Sequence, residues 1–244
     1  MLNQQRQLLR VTREKTTTSV IPTATDKKIT LPAVRTYATT IALPAPKLKG
    51  TLSVEEALFT RRSRREFAET PLTQAQLSLL LWSAQGITDA PTGKRTAPSA
   101  YNVYPFTVYV VVRNVTGITP GLYEYLPATH ALGDMKLANA GDVLNSGEGV
   151  EALAKKTPVV IVLSAALDKG VEKLKGGALT SAYLEGGHIG ENLYLEAESL
   201  KLATVVTGGG TKGAHDALKL DPAETVVYVV PVGNRVVEKK AGQE

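Results

Sequence analysis

The sequence predicts one domain of mixed helices and strands, α/β or α+β, in which helices flank a central sheet. Three observations carry that prediction. Residues 107–112, 158–164, 203–207 and 225–230 are short, apolar, β-branched runs, too brief for helices and suited to strands buried on both faces. Residues 179–200 form the longest helix candidate and fall between the second and third of these runs. With 244 residues, 43% of them hydrophobic, the chain can bury one sizeable core.

Taken in order, residues 1–46 read as an extended arm. They are rich in Thr, Lys and Pro; Thr16-Thr17-Thr18 and Leu43-Pro44-Ala45-Pro46 disfavour helix, while Ile29-Thr30-Leu31 favours some ordered pairing. The domain proper is expected over 47–244. Its first helix begins at a Ser53-x-x-Glu56 capping box. The second is opened by Pro71-Leu72-Thr73, shows Leu77, Leu80, Leu81 and Ala84 at helical spacing, and ends near Gly86, with Trp82 packing in that neighbourhood. A turn-rich stretch at 89–93 precedes the first strand. Gly121 to Tyr125 and Ala131-Leu132 suggest a small hairpin, a polar segment runs on to Gly149, and a short helix around 215–218 separates the last two strands. No internal repeat occurs.

Composition removes several kinds of chemistry. The chain has no cysteine, which excludes disulfides, thiolate nucleophiles, cysteine-ligated zinc and iron–sulfur clusters. His130, His188 and His215 are the three histidines and have no spaced acidic partner, so no metal site is expected. No serine–histidine–acid order or carboxylate pair stands out as a hydrolytic site. A net charge of +5 suits an anionic partner: DNA, a membrane surface or a phosphorylated cofactor. Aromatic residues make up 5% and show no base-stacking spacing around the basic run, so nucleic acid finds no support. The first ten residues lack the apolar core of a secretory signal and no stretch reaches membrane-spanning length; a cytoplasmic protein with no membrane partner is the expectation.

The most informative stretch is Arg61-Arg62-Ser63-Arg64-Arg65-Glu66-Phe67, at the far end of the first helix. Guanidinium groups give bidentate, charge-assisted hydrogen bonds to phosphate oxygens and the hydroxyl adds a neutral donor, so the stretch suits a phosphate monoester. A solvated charge run or a nucleic-acid patch is the alternative. Gly208-Gly209-Gly210-Thr211-Lys212-Gly213 matches G-x-G-x-x-G between a strand and a helix, but only one further strand follows and no acidic residue closes it, which favours a plain glycine turn over a dinucleotide fold. Pro98-Ser99-Ala100-Tyr101-Asn102 precedes a core strand and reads as a rigid loop at a strand mouth. Gly186-Gly187-His188-Ile189-Gly190 lies in the long helix, where small residues allow close packing and His188 is expected to pack rather than catalyse.

Read together, the arginine run, Thr96 to Asn102, Gly186 to Leu193, Gly208-Gly209-Gly210 and Pro231-Val232-Gly233 occur in an order that resembles the nitroreductase superfamily of FMN-dependent oxidoreductases. The likeness spans roughly residues 48–235 and is closest to the branch of azoline-oxidising dehydrogenases (SagB/ThcOx type), although Tyr101 stands where those relatives often carry glycine. The resemblance implies an α+β sandwich with a mixed four- or five-stranded sheet, and a homodimer with two FMN sites at the subunit interface.

It also implies roles. Arg61, Ser63 and Arg65 would anchor the ribityl phosphate, with Arg62 close by and Arg235 as a further candidate from the chain end. Backbone N–H groups of Gly208, Gly209 and Gly210 would approach flavin N5. Pro98, Ser99, Ala100 and Asn102 would contact flavin from the partner subunit, and Tyr101 and Tyr104 would wall a substrate pocket or simply pack. The chemistry would then belong to the flavin, with NADH or NADPH as electron donor and a small nitroaromatic, quinone or enone as acceptor. Two alternatives stand beside this: a flavin dehydrogenase oxidising an organic substrate such as a peptide azoline, and a non-catalytic basic binding protein.

Overall fold

The computed structural model describes residues 35–143, 157–167, 171–174 and 176–236. Thr16-Thr17-Thr18, Ile29-Thr30-Leu31 and residues 144–149, the end of the polar segment, lie outside the described residues.

Local sequence sets the helix ends. In α1 (Val54–Thr60) the Ser53 hydroxyl accepts from the Glu56 N–H, and the Glu56 carboxylate accepts from the Ser53 N–H at 2.8 Å, completing the expected capping box. Arg61 caps the other end with φ −53° and ψ 127°, which turns the chain out of the helix. Thr73 and Gln76 repeat the box at α2 (Gln74–Gln85), and that helix stops at Gly86, where a Cβ would fall 2.3 Å from Trp82 Cδ1. Two single turns, α3 (Ala140–Val143) and α4 (Val171–Leu174), precede the long α5 (Ala178–Ser199), and α6 (Thr211–Ala217) follows it. No helix among the described residues is long and apolar enough to cross a membrane.

The strands are β1 (Thr40–Ala42), β2 (Phe67–Ala68), β3 (Ile87–Asp89), β4 (Lys94–Arg95), β5 (Phe106–Val112), β6 (Gly121–Leu126), β7 (Ala131–Asp134), β8 (Val159–Ala166), β9 (Leu202–Thr204) and β10 (Glu224–Arg235). One sheet of eight strands runs β1-β7-β6-β5-β8-β10-β2, with β9 also on β10, while β3 and β4 form a separate hairpin. The α+β class with a sheet flanked by helices is as expected, but the sheet is larger than four or five strands and its named pairings are all antiparallel rather than mixed. β1 and β2, of three and two residues, are too short to leave a periodic signal, and periodicity carries no information on strand polarity.

β5 and β8 are buried on both faces. Val108, Val110 and Ile161 point to a core shared with Leu77, Leu80 and Leu81 of α2 and Ile189 and Leu193 of α5. Tyr109, Val111, Val160 and Val162 point to a second core with Leu122, Ala214 and Leu218. Alternate residues thus feed opposite layers, which is why the strands read as unbroken apolar runs. β1 pairs with β7 and Leu43 is buried, so residues 40–43 belong to this packing.

Candidate functional site

The arginine run leaves α1 and lies against the C-terminal half of α5. Its four guanidinium groups have different surroundings. Arg64 Nη1 donates to Glu198 Oε2 at 2.6 Å, and Arg235 Nη2 approaches Glu198 Oε1 at 2.9 Å, so a buried carboxylate on α5 is held by two cations. Burial alone would raise the Glu198 pKa; the hydrogen bonds from Arg64 and the adjacent charge of Arg235 outweigh it and hold the carboxyl below its ordinary value. Arg235, expected near the phosphate, also donates from Nε to Leu202 O at 3.1 Å and is thereby drawn into this cluster. Arg61 stacks over the Tyr194 ring, 5.0 Å from its centroid, and lies 3.9 Å from Glu191. Arg62 donates to the Phe59 and Arg61 carbonyls, which leaves most of its fork unused. Arg65 is exposed and has no side-chain partner among the described residues.

Tyr194 joins this run to the glycine turn. Its hydroxyl lies 2.8 Å from Ser63 Oγ and accepts from the Val206 N–H at 3.0 Å, while Arg64 N–H donates to Thr204 O at 2.9 Å. From Val206 the chain passes through Thr207, bridged to Val229, into Gly208-Gly209-Gly210. Gly210 has φ 73°, a left-handed geometry that glycine adopts freely, at the entry to α6. The Gly209 N–H donates to Thr207 Oγ1 at 3.1 Å and is therefore occupied, whereas the N–H groups of Gly208 and Gly210 have no partner among the described residues.

The loop at 98–104 stands apart from both. Ser99 Oγ accepts from the Tyr104 N–H at 2.9 Å and hydrogen-bonds Glu185, so its hydroxyl faces inward. Tyr104 packs under Arg95, 4.7 Å from guanidinium to ring centroid, and Tyr101 is 73% exposed beside exposed Pro98, Ala100 and Asn102. Glu185 lies nine residues before Tyr194 and thirteen before Glu198 on one helix, so at about 1.5 Å per residue the loop and the arginine run are separated by roughly 14–20 Å along α5. Within one protomer Tyr194 ties Arg61 and Ser63 of the arginine run to the chain that enters the glycine turn, whereas Pro98, Ser99, Ala100, Tyr101 and Asn102 stay apart from that link.

His188 lies on the exposed face of α5 and touches none of these groups. Glu198 and Tyr194 were not singled out from sequence. Their signal was Glu191, Tyr194 and Glu198 at intervals of three and four residues, which puts all three on one helix face opposite a basic stretch. No cluster of acidic and histidine side chains suited to a metal occurs among the described residues.

Residues 58–234 match the family model described as Nitroreductase family. The chain belongs to the nitroreductase family. Among relatives, a Methanocaldococcus jannaschii protein named as a nitroreductase is 32% identical over 186 residues, 76% of this chain and 92% of that one. A Ralstonia eutropha protein described as a nitroreductase has a crystal structure with a TM-score of 0.71 at 31% identity, covering 85% of this chain and 94% of its own. A Desulfovibrio desulfuricans protein of the same description, crystallised in complex with FMN, shares the fold with a TM-score of 0.55 at 17% identity, over 78% of this chain and 91% of that chain. The nitroreductase family is one of oxidoreductases, and this chain is assigned to that class.

Proposed function

We propose that this nitroreductase-family chain is an FMN-dependent oxidoreductase that acts as a homodimer, taking reducing equivalents from NADH or NADPH and passing them to a nitroaromatic, quinone or enone. The observation that carries the reading is an unpartnered Arg65 guanidinium, with the spare donors of Arg61 and Arg62 beside it, together with unpartnered Gly208 and Gly210 N–H groups in the turn that Tyr194 ties to Ser63. That donor set fits FMN: strong cationic donors for a phosphate, neutral backbone donors for a polar ring edge. When bound, FMN supplies the hydride-accepting and hydride-donating centre.

The chain's own groups supply binding and orientation. Arg61, Ser63 and Arg65 hold the phosphate, with Arg62 at its rim. Arg64 and Arg235 act instead through Glu198, fixing the backbone that presents the other three. Gly208 and Gly210 offer N–H groups where no side chain intrudes. A Pro98–Asn102 loop from the second subunit completes the pocket. The Desulfovibrio relative's complex with FMN supports the choice of flavin.

Visible absorbance of freshly purified protein, with identification of flavin released on denaturation, tests this directly. FMN at about one per chain is the expected result; colourless protein that refuses added FMN sinks the proposal. Arg65→Glu places a carboxylate where the phosphate would bind, so FMN affinity should fall at least about a hundredfold, near 3 kcal/mol. Retention of flavin at unchanged stoichiometry in Arg65→Glu would remove the phosphate-site assignment. Anaerobic bleaching by NADH or NADPH distinguishes a reductase from a dehydrogenase bleached only by its organic substrate.

A further inference from the structure

Three non-glycine residues in the loop preceding β5 have left-handed backbones: Tyr101 at φ 52°, Asn102 at φ 55° and Tyr104 at φ 48°. Asparagine tolerates that region, but a bulky side chain disfavours it, so such a loop persists only where its surroundings hold it. The residues doing so form a closed ring. Tyr104 N–H donates to Ser99 Oγ at 2.9 Å, and Ser99 in turn hydrogen-bonds Glu185 of α5. Gln85 Nε2, at the end of α2, donates to Glu185 Oε1 at 3.2 Å. Gln85 Oε1 accepts from Arg95 Nη1 at 2.8 Å, and Arg95 stacks on the Tyr104 ring, whose hydroxyl accepts from the Arg95 N–H at 3.3 Å. The ring thus starts and ends on Tyr104.

We propose that Glu185, Gln85 and Arg95 are positioning residues whose ring with Ser99 and Tyr104 holds the strained loop so that Tyr101 and Asn102 face outward, toward the cofactor of a neighbouring subunit. The inference deepens the flavin reading and rests on it for the last clause. Glu185 is 4% exposed and Gln85 fully buried, whereas Tyr101 is 73% exposed: the polar groups are turned in and the presented side chain is turned out. Gln85 and Glu185 are both buried and hydrogen-bonded to each other, so removing either costs the other a buried partner. None of the three touches the arginine run or the glycine turn, which separates their role from phosphate binding.

The test compares wild-type protein with Glu185→Leu, Glu185→Gln, Arg95→Met and Arg95→Lys, first by hydrogen exchange without added flavin and then by FMN titration. Glu185→Leu and Arg95→Met should speed exchange of amides 99–104 about tenfold while other segments keep their protection, and should weaken FMN binding by about the same factor. Glu185→Gln keeps a carbonyl acceptor and should recover most of the affinity; Arg95→Lys keeps the charge but loses the planar stack and should not. Exchange unchanged in the loop, or raised evenly across the chain, overturns the proposal, as does a loosened loop with undiminished FMN affinity. If wild-type protein takes up no FMN, the failure falls on the flavin reading, because the exchange comparison needs no cofactor.

Discussion

Glu198 shows how one residue decides the role of its neighbours. Arg64 and Arg65 are indistinguishable in sequence, but Arg64 bonds through its N–H to Thr204 O and turns its side chain onto Glu198, which leaves Arg65 pointing to solvent. The folded-state pKa of Glu198 is depressed, so its contribution to stability is fully present above the ordinary value of 4.5 and is lost as pH falls through the lower folded value. Glu198→Gln should therefore cost about 3 kcal/mol at neutral pH, because two arginines lose a buried partner, and should flatten the acid limb of the stability profile. Urea unfolding between pH 3 and 7 reads both, and an unchanged acid limb would show that Glu198 carries no linked stability. The concentration of positive charge at the end of the first helix was legible in the run's four arginines. Which arginine serves structure was not, because the deciding carboxylate lies more than a hundred positions away in the chain.

Among the elements, those with a local signal were legible. The Ser53 box, the α2 apolar face ending at Gly86, the two-faced strands β5 and β8 and the span of α5 all follow from short-range rules. The strand expected over 203–207 ends instead at Thr204, since Val206 gives its N–H to Tyr194 and leaves the ladder. The glycines of α5 also separate by face. A Cβ at Gly190 would lie 3.1 Å from Val206 Cγ1 and one at Gly186 3.1 Å from Val227 Cγ1, so both let the helix approach the sheet side; around Gly187 nothing lies within 4 Å. Gly190→Val should destabilise by about 1–3 kcal/mol through overpacking, whereas Gly187→Ala should stabilise an isolated protomer by up to about 1 kcal/mol through helix propensity. Thermal unfolding of the two variants checks the contrast, and an equal loss in both would mean that helix–sheet approach does not set the pattern.

At the scale of the whole molecule, two helices present apolar side chains to solvent. Val54, Leu58 and Phe59 of α1 are 64%, 53% and 80% exposed, and Tyr183 and Leu184 of α5 are 53% and 64% exposed, on the same face as Gly187 and His188. Exposed stripes of this kind on well-formed helices mark contact with another surface. The flavin reading asks for a second copy of this chain, because the loop carrying Tyr101 and Asn102 lies roughly 14–20 Å along α5 from the arginine run of its own protomer. A symmetric pair of long helices would place one protomer's loop near the other's arginines, with the apolar faces between them. Leu184→Arg should then yield a monomer that has also lost FMN, whereas Arg65→Glu should lose FMN and remain a dimer. Light scattering beside flavin absorbance separates these outcomes. A wild-type monomer holding one FMN per chain would mean that a single protomer completes the site without the loop of a partner.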